Sequence, residues 1–270
     1  MLSAVIAPSQ ARGPRLAAAQ RAQRSFYSGA FRARPVRPVV RIADEDPALL
    51  GPIPEEMLEL ASHQLVARTT WVDTGDWAPL AGDLPRRFGG WVGVLVLDGL
   101  LVRQVELDDL RCCELLGPGD LLRPWDEDDE AGTIECQTTW RVLEPTRLAW
   151  LDGAFARRAG QWPTVTGELL QRSLRRTRSQ SVLLALTQAR RADVRLRMLF
   201  AHLADRWGRV TPEGIVIPLR LTHRVIAQLT GLRRPSVSIS LAELEREGQI
   251  VRLAKDAWLI ALPQALPDAV

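Results

Sequence analysis

Residues 221–248 read LTHRVIAQLTGLRRPSVSISLAELEREG, and this stretch decides the fold of the C-terminal part of the chain. It predicts two short helices joined by a tight turn. Ala227 is the small residue that lets two helices cross closely, and Gly231 tolerates the positive φ that the turn needs. The apolar residues that would pack the helices together are Ile226, Leu229, Leu232 and Val237. The pattern indicates a helix-turn-helix.

The ends of the two helices carry residues that suit those positions. Thr222 is the predicted N-cap of the first helix, because its hydroxyl can accept a backbone N–H. Pro235 lies in the first turn of the second helix, where its missing N–H costs no hydrogen bond. Val237, Leu241 and Leu244 then share the buried face of the second helix, and its other face is left for a partner.

That outward face has the residue types that bind DNA. An arginine there can donate two hydrogen bonds to guanine, and an isoleucine can contact the methyl group of thymine. Serine hydroxyls and a histidine suit phosphates. The predicted DNA-binding residues are Thr222, His223, Arg233, Arg234, Ser236, Ser238 and Ile239. An ordinary helical hairpin with a basic tip is the alternative, but it does not explain why all these features occur together.

Two hairpins are predicted around this motif. Residues Gln249–Leu253 and Ala257–Ala261 read as strands on either side of a short turn, and they would form the wing of a winged helix-turn-helix. Arg209–Pro218 reads as a second small hairpin.

A long helix over Thr164–Arg191 and a second helix over Ala192–Trp207 are predicted upstream, with Gly208 as the C′ residue of the second. Apolar residues of the long helix recur at three- and four-residue spacing, as in a helix seam. They are Val165, Leu169, Leu170, Leu174, Val182, Leu184 and Ala185.

The N-terminal half predicts a β domain preceded by a short helix over Pro54–Val66. Asp98-Gly99 between two apolar runs predicts a hairpin, and residues 117–120, GPGD, predict a tight turn. Many short strands at this spacing favour a β-barrel or jelly roll. The predicted strands are Ala67–Val72, Gly90–Leu97, Leu100–Leu107, Arg111–Leu116, Gln137–Leu143 and Arg147–Leu151.

Charge is distributed unevenly along the chain. Residues 1–43 hold eight arginines and no acid, residues 44–154 hold 8 basic and 23 acidic residues, and residues 155–270 hold 19 basic and 9 acidic residues. A basic C-terminal part can neutralise phosphates and release counterions. A solvated basic surface would also fit this charge, so the helix-turn-helix motif carries the prediction of DNA binding.

Residues 1–40 are predicted to be a disordered basic extension, although their composition also fits a transit peptide or a start codon assigned too far upstream. No stretch is apolar enough to predict a membrane span, and no secretion signal is expected. The three cysteines do not predict a disulfide framework, so a cytoplasmic protein is expected.

No catalytic, metal or cofactor site is predicted. A cupin-like barrel enzyme, or a small-molecule binding protein whose C-terminal helices contact only proteins, is the alternative reading. A cupin needs several histidines inside the barrel, and only His63 lies near it, because His202 and His223 are C-terminal. Six tryptophans of the N-terminal half could line an effector pocket, but a core role is the simpler interpretation.

Residues 221–248 resemble the DNA-binding domain of Crp/Fnr transcription regulators. Residues 92–125, VGVLVLDGLLVRQVELDDLRCCELLGPGDLLRPW, are similar to the cyclic-nucleotide-binding-like barrel of that family. The resemblance covers roughly residues 40–262. It implies a sensor domain at 41–160, a dimerisation helix at 161–191 and a winged helix-turn-helix at 192–270. It also implies a non-enzymatic homodimer on a two-fold symmetric operator, with RNA polymerase as a partner.

The chain departs from the family pattern where a cyclic nucleotide would bind. Leu122–Trp125 replaces the expected Gly-Glu pair, and Thr133–Gln137 lacks the arginine that grips the cyclic phosphate. The acidic run Asp126–Glu130 would repel a phosphate. The effector is therefore expected to be unknown or absent. Pro235 replaces an acidic residue that often follows the base-reading arginine, so a different operator is expected.

Overall fold

The computed structural model describes residues 38–79, 89–108, 110–126, 136–254 and 257–261. The chain divides into two compact units, with the boundary between Ser181 and Val182. Of the predicted extension at 1–40, residues up to 37 lie outside the described residues. Val39 and Val40 belong to a strand, because they pair with Arg68 and Ala67.

The described residues of the N-terminal unit form seven strands and several helices. The strands are β1 (Val39–Arg41), β2 (Val66–Val72), β3 (Gly75–Trp77), β4 (Gly93–Leu107), β5 (Leu110–Leu116), β6 (Leu121–Leu122) and β7 (Gln137–Leu151). The helices are α1 (Ile42–Glu45), α2 (Glu55–Gln64), α3 (Gly153–Ala159) and α4 (Pro163–Thr187), the last of which continues past the unit boundary. Short 3-10 turns occur at Pro47–Leu49 and Pro124–Asp126.

The seven strands form one antiparallel sheet. Its main order is β1-β2-β7-β4-β5, with β3 beside β7 and β6 beside β4. The predicted sheet domain is confirmed, but a closed barrel is not. Among the described residues the sheet is open, because β1 and β5 end the order at opposite sides.

The predicted hairpin at Asp98-Gly99 is wrong. Both residues lie inside the fifteen-residue strand β4, at a bulge where the pairing with β7 shifts register. Gly99 does have a positive φ of 90°, and a Cβ there would lie 2.4 Å from the carbonyl oxygen of Pro145. The two strands predicted at 137–143 and 147–151 are likewise one strand, β7. Pro145 is tolerated within it because it faces the bulge.

The run Gly93–Leu97 is apolar throughout because both of its faces are buried. Val94 and Val96 belong to one core cluster, whereas Leu95 and Leu97 belong to another. The predicted turn at residues 117–120 is confirmed. Asp120 accepts the backbone N–H of Gly117 at 2.8 Å, and Gly119 has a φ of 88°.

Arginines spaced four residues apart attach α4 to its own unit. Arg172 forms a bidentate ion pair with Asp46, and Arg176 forms one with Glu114 at 2.8 and 2.9 Å. Gln180 also donates to Glu114, at 3.0 Å. These three residues of α4 share one face of the helix. Glu114 is only 4% exposed and Arg172 only 8%, so both ion pairs include a buried charge.

The C-terminal unit packs three helices against a four-stranded sheet. The helices are α5 (Ala192–Trp207), α6 (His223–Thr230) and α7 (Arg234–Arg246). The strands, in the order β10-β11-β9-β8, are β8 (Arg209–Thr211), β9 (Gly214–Ile217), β10 (Ile250–Ala254) and β11 (Ala257–Ile260). Both predicted hairpins, including the wing formed by β10 and β11, are confirmed.

Gly208 ends α5 as predicted, but not in a left-handed conformation. Its φ is −68° and its ψ is 145°. A Cβ at this position would lie 2.3 Å from the carbonyl oxygen of Ala204 and 2.6 Å from Ile215 Cγ2. The glycine is therefore required for close packing rather than for an unusual φ.

Candidate nucleic-acid interface

The helix-turn-helix begins at Thr222 and turns at Gly231. The Thr222 side chain accepts the backbone N–H of Val225 at 3.2 Å, which is the predicted N-cap. Gly231 has a φ of 65° and a ψ of 19°, and it ends α6 in the left-handed conformation. Both local predictions are confirmed, since the two residues set where α6 starts and stops.

Helices α6 and α7 contact each other through buried side chains, one of which is small. Ala227 is 8% exposed and Val237 is fully buried, so the close crossing predicted from a small residue is present. Thr230, also fully buried, donates its hydroxyl to the carbonyl oxygen of Ile226 at 2.7 Å. Its own carbonyl oxygen accepts from Arg195 of α5 at 3.0 Å.

Arg195 is a residue that sequence reasoning missed. Besides Thr230, its guanidinium donates to the carbonyl oxygen of Ala189 at 2.6 Å. It therefore ties the C-terminal end of α6 to the segment that precedes α5, where a positive charge also suits the helix dipole. No local signal identifies its link to α6, because Thr230 lies 35 positions further along the chain.

The first turn of α7 presents two exposed arginines, Arg233 and Arg234, followed by Pro235. This turn has no acidic residue and no side-chain cap. Positive charge at a helix N-terminus opposes the helix dipole, so these arginines do not stabilise the helix. Within the described part of the chain, neither guanidinium forms an ion pair. Both are available to an anion from outside the unit.

The other predicted contact residues fall into two groups. Ile239 is 63% exposed and Ser236 is half-buried, and both lie on α7 next to the arginines. Ser238 and His223 instead contact each other: His223 Nδ1 lies 2.9 Å from Ser238 Oγ, and Ser238 Oγ donates to the carbonyl oxygen of Arg234 at 3.1 Å. Of the predicted residues, the structure thus brings together His223, Ser238 and Arg234, and it engages His223 and Ser238 internally.

Arg252 of the wing is a further candidate that the sequence did not indicate. It is exposed on β10, and its guanidinium lies 5.4 Å from the centroid of the Trp258 ring. Burial, followed by the positive charges of Arg252 and Arg234, lowers the pKa of His223. The wing arginine and the α7 arginine therefore both act on the same imidazole, and Glu245 of α7 opposes them.

Other chemistries have little support in the described residues. No group of three or more His, Cys, Asp or Glu within them could hold a metal ion. Burial, followed by the neighbouring Cys112, raises the pKa of the Cys113 thiol to about 12, so this thiol is a poor nucleophile. No helix in the described ranges is long and apolar enough to cross a membrane.

A family model described as a Crp-like helix-turn-helix domain matches residues 181–268. The regulatory protein CysR of Synechococcus elongatus is 32% identical over 165 residues, which make up 60% of this chain and 71% of that protein.

Two solved structures share the fold at low identity. A cyclic nucleotide-binding domain containing protein from Listeria monocytogenes is 17% identical, with a TM-score of 0.58 over 72% of this chain and 89% of that chain. FixK2 from Bradyrhizobium japonicum is 18% identical, with a TM-score of 0.53 over 73% of this chain and 94% of that chain. The motif geometry, the matching domain model and the identity to a regulator over most of its length show that this chain belongs to the Crp/Fnr family of transcription regulators.

Proposed function

We propose that the protein is a homodimeric, sequence-specific DNA-binding regulator that inserts the N-terminal end of α7 into the major groove. The observation that carries this proposal is the pair of exposed arginines, Arg233 and Arg234, in the first turn of that helix. The N-terminal residues of a recognition helix are those that reach base edges. Basic residues also outnumber acidic residues by 19 to 9 over residues 155–270, which favours binding to phosphates.

The residues at the N-terminal end of α7 and beside it have distinct chemical roles in this proposal. Arg234 donates two hydrogen bonds to O6 and N7 of a guanine, and Ile239 contacts a thymine methyl group. Arg233 and Ser236 bind neighbouring phosphates or base edges. Thr222, which begins α6, lies where its backbone and hydroxyl approach the phosphate backbone. Arg252 of the wing adds a phosphate contact.

The dimer is proposed to form along α4. Leu170, Leu174 and Leu184 are 61%, 53% and 66% exposed, which is unusual for leucines. Together with Thr177 and Ser181, they recur at alternating spacings of three and four residues, the period of a coiled-coil seam. We call these five positions the α4 stripe. Arg172 and Arg176, which attach α4 to its own unit, lie roughly 120–160° around the helix from the centre of this stripe.

Such a dimer would bind an operator with two-fold symmetry and half-sites about 34 Å apart, one turn of DNA. In this proposal the protein acts in the bacterial cytoplasm, and its partners are the operator DNA and RNA polymerase.

A cyclic nucleotide is not proposed as the effector. Arg123, which follows the turn at residues 117–120, donates to the carbonyl oxygens of Trp91 at 2.9 Å and Val92 at 3.1 Å. It also forms an ion pair with Asp126. This arginine is therefore already engaged in holding its own loop, which argues against a role in phosphate binding. We propose that the effector is of another kind or that none is required.

The test is selection of bound sequences from random duplex DNA, followed by affinity measurements at fixed salt. We expect one symmetric operator, and Arg234→Ala should weaken binding to it by about 5- to 150-fold, the value of one bidentate base contact. Arg246→Ala is the matched control, since Arg246 is an exposed arginine at the other end of the same helix. Absence of a selected operator, or equal losses in both variants, would refute the proposal.

A further inference from the structure

Two predicted DNA contacts are linked to each other inside the protein. His223 lies at the start of α6, and Ser238 lies in the second turn of α7. The 2.9 Å separation between His223 Nδ1 and Ser238 Oγ is a hydrogen bond across the two helices of the motif. Ser238 Oγ then reaches the carbonyl oxygen of Arg234 at 3.1 Å. The chain of contacts therefore runs from α6 to the backbone of the residue proposed to read guanine.

The hydrogen bond from Ser238 Oγ to the carbonyl oxygen of Arg234 fits one tautomer of His223. A serine hydroxyl has only one proton to donate. Because the carbonyl oxygen of Arg234 accepts that proton, the serine oxygen must accept from the imidazole. His223 is then protonated at Nδ1, and Nε2 carries the lone pair.

The charges around His223 favour this neutral form. Arg252 on the wing and Arg234 on α7 both disfavour a positive imidazole, whereas Glu245 on α7 favours it. Burial acts in the same direction as the two arginines, and the net effect is a lowered pKa. Near neutral pH the imidazole therefore adds no charge to the DNA-binding surface, although it keeps its Nδ1 donor.

We infer that His223 is a positioning residue of the recognition helix: through Ser238 it holds the first turn of α7 so that Arg234 is presented to the major groove. This inference rests on the proposed function, and it changes the role of two residues from phosphate contacts to an internal brace. We call the contact set His223, Ser238 and the Arg234 carbonyl the α6–α7 brace.

A phosphate contact through Nε2 is the competing role, and two amide variants separate the two roles. Asparagine places an amide N–H near the position of Nδ1, whereas glutamine places one near the position of Nε2. His223→Asn should therefore preserve the brace and lose a phosphate contact. His223→Gln should lose the brace and preserve a phosphate contact.

The experiment uses the full chain and four variants of it. Three are the single variants His223→Asn, His223→Gln and Ser238→Ala, and the fourth combines His223→Gln with Ser238→Ala. The first measurement is amide hydrogen exchange of the peptide covering residues 232–241 in the DNA-free protein. We expect exchange about tenfold faster in His223→Gln and in Ser238→Ala, with no further increase in the double variant. His223→Asn should behave as the wild type.

The second measurement is discrimination between the selected operator and the same duplex with the guanine opposite Arg234 replaced. We expect His223→Gln and Ser238→Ala each to lower the affinity ratio by about tenfold, non-additively, and His223→Asn to retain it. The inference would be overturned by unchanged exchange in both His223→Gln and Ser238→Ala. It would also be overturned if the losses of the affinity ratio were additive, or if His223→Asn lost it and His223→Gln did not. If the wild type selects no operator, the proposed function fails, while the exchange measurement still decides whether the brace exists.

Discussion

Two arginines of the N-terminal unit and two of the C-terminal unit have opposite environments. In the N-terminal unit, Arg147 and Arg172 are at most 8% exposed and pair with the carboxylates of Glu45 and Asp46. In the C-terminal unit, Arg233 and Arg234 are exposed and, within the described residues, form no ion pair. The same residue type thus forms buried ion pairs in the N-terminal unit and stays exposed to solvent at the start of α7. A charged side chain contributes to stability where the fold supplies an oppositely charged partner. Where the fold supplies none, the side chain can contribute to recognition instead.

The energetic consequence is a difference in how the two units tolerate substitution. Removing one member of a buried ion pair leaves an uncompensated charge in the interior. Removing an exposed, unpaired arginine usually changes the free energy of unfolding by less than about 0.5 kcal/mol. The predictions below test this difference, beginning with the largest expected effect.

Glu114→Ala should destabilise the N-terminal unit by about 3–5 kcal/mol, because Arg176 and Gln180 would lose their buried acceptor. Denaturant unfolding measures this effect. Glu59→Ala is the control, since its carboxylate is 92% exposed and should contribute less than about 1 kcal/mol. Similar losses in the two variants would remove the distinction between buried and exposed charges.

Leu174→Ala should weaken self-association by about 3 kcal/mol, because each of two copies of the α4 stripe would lose about 1.5 kcal/mol of apolar burial. Sedimentation equilibrium would report the shift towards monomer. Leu110→Ala provides the control, because Leu110 is 71% exposed on β5 and lies outside the stripe. A wild-type protein that is monomeric at micromolar concentration would contradict the proposed dimer.

Arg233→Ala should weaken DNA binding by about 1–3 kcal/mol while leaving the free energy of unfolding unchanged or slightly higher. The slight gain is expected because this variant removes a positive charge from the N-terminal end of α7. Fluorescence anisotropy and thermal unfolding on the same sample give both quantities. A clear loss of stability would mean that the arginine has an internal role.

Acidification should destabilise the C-terminal unit, by less than Glu114→Ala destabilises the N-terminal unit. Burial is the largest cause that lowers the pKa of both His202 and His223 below 6.5. The unfolded chain therefore binds more protons than the folded chain just below that pH. The stabilisation is present above pH 6.5 and is lost as the pH falls through the lower folded pKa. Unfolding at pH 7.0 and 5.5 measures it, and His202→Gln should flatten the difference.

The helix-turn-helix could be predicted from sequence because its determinants lie within 28 residues. The cap at Thr222, the left-handed Gly231 and the buried Val237 depend on neighbours in the chain, and all three are confirmed. The sheet was harder to predict. A positive φ at Gly99 is compatible with both a hairpin turn and a bulge, and the approach of Pro145 from another strand decides in favour of the bulge.

The local sequence therefore determined the helices of the helix-turn-helix, its cap and its turn, since backbone preferences and apolar periodicity act over a few residues. Only the tertiary structure decided which charges and hydroxyls are engaged internally. Arg176 meets Glu114 across 62 positions, and His223 meets Ser238 across 15. The energy of such contacts depends on distance and burial in space, and a linear sequence encodes neither directly.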